Sequence, residues 1–591
     1  MLLIALVIYS GSINGEFLFD DKILITQNVY IKSLKYIPVL FTTDEYLPSV
    51  MHAEKTYNYY RPLQTLSFAL NYRVWGLNPF GYHLTNILFH SIVAFLVFCL
   101  LNRLFSDFSL ALLSSILFCV HPLHTESVSS ISGGAELLVS LFTLMTVLFY
   151  IKYLALRKGS AFIIAIFSFM LALISKEAGF LILVPFVIFF AGIRTKIPRD
   201  SVFLHFFIFA GMIVIYAMLR LSILAPLKML PYSSSYFLLD AINFSRVLIG
   251  YAKLLVLPQH LHILRTIPLI PSFQLSYLVL PACILASGIA AAVLILSVRQ
   301  KNFVLFFGIS WFVLSLSHLL KSMYKFGSNI AMEEHWVYFA SIGFFVILAY
   351  SILRLKKFKV LVAVSAIIIY AALAFVNSLH WRNQLDFYRY NLKFVRADIS
   401  LIPRFNYAIA LGEKGLCKEA LIETENMLKY DPENTSIYIL RGDIYKKTGE
   451  FAEAENAYRQ ALRLDRFCWQ ANLRLKDLAR KTGRPYEEKI EPWLSAQEAK
   501  AISRFMNGEF YDAIMDLDRA LESSPTPMLY TLKGIIFAKT GHYRAAINAY
   551  NDALKLDPRN KAALHNLAVL YYNINDLAQA EVIMEKEDQL E

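Results

Sequence analysis

Long apolar runs separated by short polar junctions fill the first 380 residues of the chain. A helix that crosses a bilayer needs about 20 predominantly apolar residues, so runs of this kind predict membrane helices. We place eleven of them, at residues 1–13, 81–102, 108–121, 134–151, 160–174, 178–193, 201–219, 276–298, 302–320, 336–353 and 360–379. The pattern therefore predicts a membrane domain over residues 1–380.

Basic residues mark every second junction between these helices, for example at Arg103, at Lys152 and in the run from Arg354 to Lys359. Lys and Arg are enriched in cytoplasmic loops, so these junctions are predicted to face the cytoplasm. The alternate loops then face the exported side. Because the number of spans is odd, everything after His380 is predicted to be exported as well.

Two segments fit this count less well than the others. Residues 236–257 are apolar but carry Asp240, Arg246 and Lys253, which predicts an amphipathic helix at the membrane interface; a spanning helix here would require one more crossing elsewhere. The first run has about 13 apolar residues and no basic residues before it. It therefore does not read as a secretory signal peptide, and residues upstream of Met1 would complete it as a span.

The C-terminal third contains an internal repeat of 34 residues, seen in Gly415, Gly449 and Gly483 and again in Ala420 and Ala454. This period is typical of tetratricopeptide repeats (TPRs), in which each unit is a pair of helices. We expect a linker at 381–403 and five to six repeats over 404–591, with a degenerate unit near 472–495 that is interrupted by two prolines. Stacked repeats form a concave surface that suits an extended peptide.

Composition and charge narrow the function classes. With 57% hydrophobic and 17% charged residues, the first two thirds cannot be a water-soluble fold. The net charge of +12 comes without a polybasic run or a nucleic-acid-binding motif, so it fits membrane topology better than nucleic acid binding. The five cysteines show no metal-binding or disulfide spacing. The chain has no Gly-rich phosphate loop, which disfavours ATP or a nucleotide sugar as direct substrate.

Two adjacent acids, Asp20 and Asp21, follow the first apolar run. A carboxylate beside a bilayer is costly unless it is solvated or functional, so the pair is either a solvated turn or part of a site.

Several segments in the predicted exported loops resemble one family, in order along nearly the whole chain. They are EFLFDDKILITQNVYI (16–31), HPLHTESVSSISGGAELL (121–138), SKEAGF (175–180), AMEEHWVYFASIGF (331–344) and WRN (381–383). These segments resemble the transmembrane and TPR-containing family of protein O-mannosyltransferases and its prokaryotic relatives. The resemblance implies an all-α fold: a polytopic membrane helix bundle of GT-C type with about 11 spans, followed by a TPR α-solenoid. The chain departs from the family pattern at Gly134 and His335, which stand where the family has arginine.

The resemblance also implies chemistry. GT-C enzymes take a sugar from a polyprenyl-phosphate donor, and its transfer to a hydroxyl needs a base and cations around the leaving phosphate. By resemblance, Asp20 is the base, Asp21 orients it or holds a metal, and Glu126 positions the acceptor or the base. The cation candidates for the donor phosphate are Arg61, Lys176 and His124, and the supporting residues are His121, Glu177 and Glu334.

Structural alternatives accompany these assignments. Arg61 could cap a helix, His121 could be a helix-end residue bonded to a carbonyl, and Lys176 and Glu177 could neutralise each other. A metal requirement stays open, because Asp20, Asp21 and Glu126, with His121 or His124, could ligate a divalent cation while base catalysis alone could also suffice.

Three function classes follow. The first is a membrane glycosyltransferase that moves mannose or a similar hexose from a polyprenyl-phosphate donor to Ser/Thr hydroxyls of exported proteins, with the TPR array recruiting the acceptor. The alternatives are a polyprenyl-linked oligosaccharide ligase or polymerase, and a non-catalytic TPR membrane scaffold. The expected location is the plasma or inner membrane of a prokaryote or the endoplasmic reticulum of a eukaryote, with the active loops and the TPR tail on the exported side.

Overall fold

The structure, a computed structural model, divides the chain into two compact units, one formed by residues up to 399 and one mainly by residues 400–591. It describes residues 1–43, 45, 59–177, 199–223, 237–268, 302–317, 319, 329–397, 400–465, 468–483, 496–574 and 577–588.

The first unit is almost entirely helical. Its α-helices are Leu2–Ile8 (α1), Ile37–Leu40 (α2), Pro62–Trp75 (α3), Pro79–Phe105 (α4), Phe108–Val120 (α5), Thr125–Ser129 (α6), Gly134–Leu156 (α7), Gly159–Leu173 (α8), Arg199–Ile223 (α9), Phe237–Val256 (α10), Phe303–Ser315 (α11), Ser341–Leu353 (α12), Lys359–Leu379 (α13) and Gln384–Asn391 (α14). Short 3₁₀ turns lie at Tyr9–Gly11, Tyr30–Lys32, Leu34–Tyr36, Pro122–His124 and Glu334–Val337, and a π-helical turn lies at Lys22–Thr26.

Local sequence signals set the ends of the longest helix, α4. The Asn78 side chain accepts a hydrogen bond from the Phe80 amide at 3.1 Å, and Pro79 occupies the first turn, where its missing N–H is not needed. The helix ends at Ser106, whose φ of 54° is left-handed. Between these ends, α4 packs against α5 and α7, and residues such as Leu101, Leu117 and Leu144 are fully buried between them.

Within the described residues, α4, α7 and α13 are long and apolar enough to cross a membrane. Helix α5 and residues 122–129 meet at a bend of 53°, and they form a fourth candidate crossing if the two are counted as one span. Pro122 explains this bend, because proline lacks an amide donor and disfavours helical geometry in the residue before it. The shorter apolar helices lie at residues 2–11, 159–173, 207–223, 303–315 and 341–353. The predicted spans at 178–193 and 276–298 lie outside the described residues.

One predicted span begins later than the apolar pattern indicates. We expected a helix over 336–353, but the segment first forms the 3₁₀ turn Glu334–Val337, and α12 begins only at Ser341. The physical reason is that the polar groups of residues 333–335 bond to other loops rather than to a helix of their own. The segment 236–257, predicted to be interfacial, does form a helix, α10; it is not among the described helices that qualify as spans.

A small antiparallel sheet lies next to this turn. Strand β1 (Thr266–Pro268) pairs with strand β2 (Asn329–Ala331), with Thr266 opposite Ala331. The Met332 amide continues the pairing by donating to the Arg265 carbonyl at 2.8 Å. The sheet therefore holds Arg265 beside the acidic pair that follows β2.

The second unit is a run of helices that confirms the TPR prediction. Its helices are Ile402–Glu413 (α15), Cys417–Leu428 (α16), Thr435–Thr448 (α17), Phe451–Leu464 (α18), Trp469–Thr482 (α19), Ala496–Met506 (α20), Phe510–Ser523 (α21), Pro527–Lys539 (α22), Tyr543–Leu556 (α23), Lys561–Asn573 (α24) and Leu577–Asp588 (α25). Gly449 ends α17 with a φ of 86°, a left-handed conformation that glycine adopts without strain. Residues 484–495, in the unit predicted to be degenerate, lie outside the described part.

Two glycines of the repeats allow a tyrosine to pack closely. A Cβ atom at Gly534 would lie 2.5 Å from Cε1 of Tyr550, and one at Gly442 would clash in the same way with the ring of Tyr458. Both tyrosines are buried. The small residue at this repeat position is therefore required by helix packing.

We expect Gly442→Ala to destabilise the α17–α18 pair by about 1–3 kcal/mol, because the added methyl group overpacks the contact with Tyr458. Hydrogen exchange in the full chain should show faster exchange of the α17 and α18 amides. Gly412→Ala is the matched control, since a Cβ atom there meets only Ile444, at 3.8 Å. Unchanged exchange in Gly442→Ala would contradict the packing argument.

Candidate functional site

The segment between α5 and α7 carries Glu126 and is held in place by three distant side chains. The Asp21 carboxylate accepts a hydrogen bond from the Ser132 amide at 2.8 Å, and the Gln64 amide donates to the Ser132 carbonyl at 2.6 Å. The Asn86 side chain donates to the Ser130 carbonyl at 2.8 Å. The loop after α6, residues 130–133, is thereby fixed through its own backbone groups, since buried backbone groups need partners.

The two adjacent acids have different environments. Asp21 is 1% exposed, and its second carboxylate oxygen accepts a hydrogen bond from the Leu18 amide at 3.1 Å. Burial raises the pKa of Asp21 to about 7, although both backbone donors oppose that rise. Asp20 is partly exposed and follows Phe19, whose φ of 46° is left-handed and turns the chain sharply. Asp21 thus anchors the loop, whereas its neighbour Asp20 is partly exposed.

Glu126 binds the segment that follows strand β2. Its carboxylate accepts a hydrogen bond from the His335 amide at 3.0 Å and lies 2.9 Å from Nδ1 of the same residue. The buried Glu333 carboxylate accepts from the Leu264 amide at 3.2 Å. One oxygen or nitrogen atom each from Glu126, Glu333 and His335 lies within 4.8 Å of the others, which is a spacing that suits metal ligands.

The metal set predicted from the sequence differs from this group. Asp20 and Asp21 do not belong to it, and within the described part of the chain Glu126, Glu333 and His335 are the only His, Cys, Asp or Glu side chains grouped closely enough to hold an ion. Asp21 meets the loop at Ser132, whereas the Glu126 carboxylate is engaged by His335.

Arg265 is a functional candidate that sequence reasoning missed. Its guanidinium forms an ion pair with the buried Glu334 carboxylate at 2.9 Å, and the His262 amide donates to the same oxygen at 2.8 Å. Burial raises the pKa of Glu334 to about 8, and Arg265 opposes that rise. A lone arginine between apolar residues offers little sequence signal. Glu333, directly beside Glu334, could have been found from the acidic pair itself.

A small cavity borders these acids. It is lined by side chains that donate hydrogen bonds and by side chains that accept them, including Glu126, His262, Glu334, His380, Tyr390 and Asn391. The rings of His380 and Tyr390 stack with centroids 3.8 Å apart. The cavity has room for a few atoms rather than for a sugar ring. It gives Glu126 and Glu334 access to water or to a small ligand.

The predicted phosphate-binding cations are paired with acids. Arg61 donates from two nitrogens to one Glu177 oxygen at 3.2 Å each, and Lys176 forms a close ion pair with the buried Glu136. The direct ion-pair partner of Lys176 is therefore Glu136, whereas Glu177 pairs with Arg61. Burial works against ionisation of Glu177, but Arg61, Arg220 and Lys176 lower the pKa of this carboxyl. Arg61 begins α3, yet its side chain makes no capping hydrogen bond.

The two predicted histidines lie in the interior of the unit. His124 is fully buried, with Nε2 at 2.9 Å from the Ser341 hydroxyl and its ring 4.5 Å from that of Phe118. Because His124 is fully buried, we do not assign it a role in the proposed site. His121 caps the end of α5: its Nε2 donates to the Leu255 carbonyl at 3.0 Å, and its Nδ1 accepts from the Leu123 amide. This contact matches the helix-end alternative.

Comparison with protein families identifies the repeats. Two family models described as tetratricopeptide repeat match residues 435–468 and 537–586. Among solved structures, the TPR protein YrrB, described as having an unusual peptide-binding site, is 19% identical over 32% of this chain and 87% of its own, with a TM-score of 0.14.

Comparison with curated proteins gives matches to proteins named protein O-mannosyl-transferases. A protein O-mannosyl-transferase of Caenorhabditis elegans is 25% identical over 442 residues, which are 73% of this chain and 62% of the worm protein. Similar proteins of Mus musculus and Drosophila melanogaster, also named protein O-mannosyl-transferases, are 35% and 31% identical over 29% and 30% of this chain, and over 19% and 20% of their own. The chain thus spans less than two thirds of the length of these relatives. The repeat unit alone is too short to supply 73% of the chain, so the worm match extends into the apolar unit.

Proposed function

We propose, from the premise that this chain is homologous to proteins named protein O-mannosyl-transferases, that it is a membrane glycosyltransferase. It moves mannose or a similar hexose from a polyprenyl-phosphate donor to Ser or Thr hydroxyls of exported proteins. The activity and the donor are proposals, because the relatives are longer than this chain and their names specify only O-mannosyl transfer.

One observation supports this proposal most directly. Side chains from chain-distant segments hold the stretch from α6 to Ser132: Asp21 accepts from the Ser132 amide, and His335 and Glu333, from the segment after β2, lie beside Glu126 in α6. Asp20, directly before Asp21 in the chain, is partly exposed. A carboxylate that follows on from such a fixed anchor suits general base catalysis, which needs a positioned group.

In the proposed transfer step, Asp20 takes the proton of the acceptor hydroxyl. The oxygen of that hydroxyl then forms a bond to the anomeric carbon of the sugar. The bond from that carbon to the phosphate oxygen breaks, and the electron pair leaves with the polyprenyl phosphate. Arg61 remains the cation candidate for this phosphate: its side chain is 15% exposed, and its pair with Glu177 keeps the guanidinium oriented.

We further propose that the repeats recruit the acceptor. The second unit has a groove between α15, α17 and α19, lined by apolar side chains such as Ile409 and Leu440 and by the polar Ser436, Lys447 and Arg474. A mixed groove of this kind on stacked helix pairs suits an extended peptide, with apolar pockets for side chains and polar groups for the backbone. We also propose that the active loops and the repeats lie on the exported side, which the distribution of basic residues along the sequence supports.

The test uses the purified full chain in detergent or lipid nanodiscs. Supplied with polyprenyl-phosphate mannose, it should transfer the sugar to a Ser/Thr-rich peptide and not to the same peptide with alanine at every Ser and Thr. GDP-mannose alone should give no product. Product only from a polyprenyl-diphosphate oligosaccharide would instead support the ligase or polymerase alternative. Binding of the peptide without transfer from any donor would support the scaffold alternative and overturn the enzymatic proposal.

A further inference from the structure

The group formed by Glu126, Glu333 and His335 has the composition and spacing of a metal site. Its three ligand atoms lie within 4.8 Å of one another, and the Glu126 oxygen lies 2.9 Å from His335 Nδ1. Two ligands that are each about 2.1 Å from one ion lie about 3–4 Å apart. Small shifts of the side chains therefore suffice to bring all three atoms to one ion.

We propose that these three residues bind a divalent transition-metal ion, of the Mn²⁺ or Zn²⁺ class. An imidazole nitrogen together with two carboxylate oxygens favours such ions over Mg²⁺ or Ca²⁺, which prefer ligands that are all oxygen. This inference concerns ion binding in the absence of donor and acceptor, so it stands or falls independently of the proposed transfer activity.

The surrounding structure holds the ligands in place. Strand pairing at Thr266–Ala331 fixes the chain just before Glu333, and the Leu264 amide binds one oxygen of that carboxylate at 3.2 Å. The His335 amide binds the second oxygen of Glu126 at 3.0 Å. These hydrogen bonds orient both carboxylates before any ion arrives, as outer-shell partners do in metal sites.

An ion at this place would keep an open position. Glu126 also lines the small cavity, together with His262 and Glu334, so water or a small ligand can reach the ion from that side. For Nδ1 to act as a ligand, the imidazole of His335 would carry its ring proton on Nε2 rather than on Nδ1. Glu334, which lines the same cavity, is paired with Arg265 at 2.9 Å.

The experiment measures binding of Mn²⁺ and of Zn²⁺ to the full chain, purified without a polyhistidine tag and treated with a chelator. Electron paramagnetic resonance reports free Mn²⁺, and equilibrium dialysis with elemental analysis reports Zn²⁺. We expect about one ion per chain, and at least tenfold weaker binding in His335→Asn and in Glu333→Gln. Mg²⁺ at equal concentration should not displace the ion.

His565→Asn is the matched control, because His565 also lies near a carboxylate, at 3.2 Å from Glu587, but belongs to no group of three ligands in the described chain. It should bind the ion like the unmodified chain. Failure to bind either ion, or unchanged binding in both site variants, would overturn the proposal. If the site variants misfold, the unmodified chain with bound Mn²⁺ tests ligation by His335 directly. ¹⁴N hyperfine coupling to the Mn²⁺ is expected, and a spectrum without this coupling would exclude an imidazole ligand.

Discussion

Asp20→Asn is expected to lower the rate of sugar transfer by about 10²–10⁴-fold, the usual contribution of a positioned general base. The substitution keeps the size of the side chain and removes its ability to take a proton. Because Asp20 is partly exposed, the amide can be solvated, and the fold should be preserved. The measurement is initial transfer rate from polyprenyl-phosphate mannose at saturating peptide, with the thermal unfolding midpoint recorded on the same preparation.

Asp386→Asn is the matched control, since Asp386 is an exposed acid in the first turn of α14 that takes no part in the proposed site. Its transfer rate should equal that of the unmodified chain. A rate unchanged by Asp20→Asn would refute the assignment of the base. A rate lost together with the folded state would require repetition with Asp20→Glu, which retains the carboxylate and should restore part of the activity if Asp20 is the base.

Lys176→Met is expected to destabilise the first unit by about 3–5 kcal/mol, because it leaves the Glu136 carboxylate buried without its partner. Replacing both members, in Lys176→Met with Glu136→Gln, removes the unpaired charge and should restore most of this loss. Denaturation by sodium dodecyl sulfate in mixed micelles gives the free energy of unfolding for the single, double and unmodified chains.

The same double variant tests the role in donor binding that the resemblance implies for Lys176. If the lysine only neutralises Glu136, the stable double variant should keep its KM for the donor. If the lysine also binds the donor phosphate, the double variant should show a raised KM at normal stability. A single variant as stable as the unmodified chain would contradict the buried ion pair itself.

Features that depend on local periodicity were predictable. The 34-residue period of the repeats and the left-handed glycine at Gly449 reflect contacts between neighbouring segments, so each unit carries its own signal. Apolar runs likewise indicated α4, α7 and α13, because solvation by lipid acts on each helix separately. The helix predicted over 336–353 began late for a nonlocal reason, since the polar residues just before it, Glu333 and His335, bond to Leu264 and Glu126.

The sequence by itself determined the fold class, the repeat type and the family resemblance, together with the acids worth considering. Only the tertiary structure decided what each ionisable side chain does. Asp21 anchors a loop 111 residues away, and Glu126 meets His335 across 209 residues, while Arg265 pairs with Glu334 across 69. The role of a charged group depends on its burial and its partner, and these come from segments far apart in the chain, which no local pattern encodes.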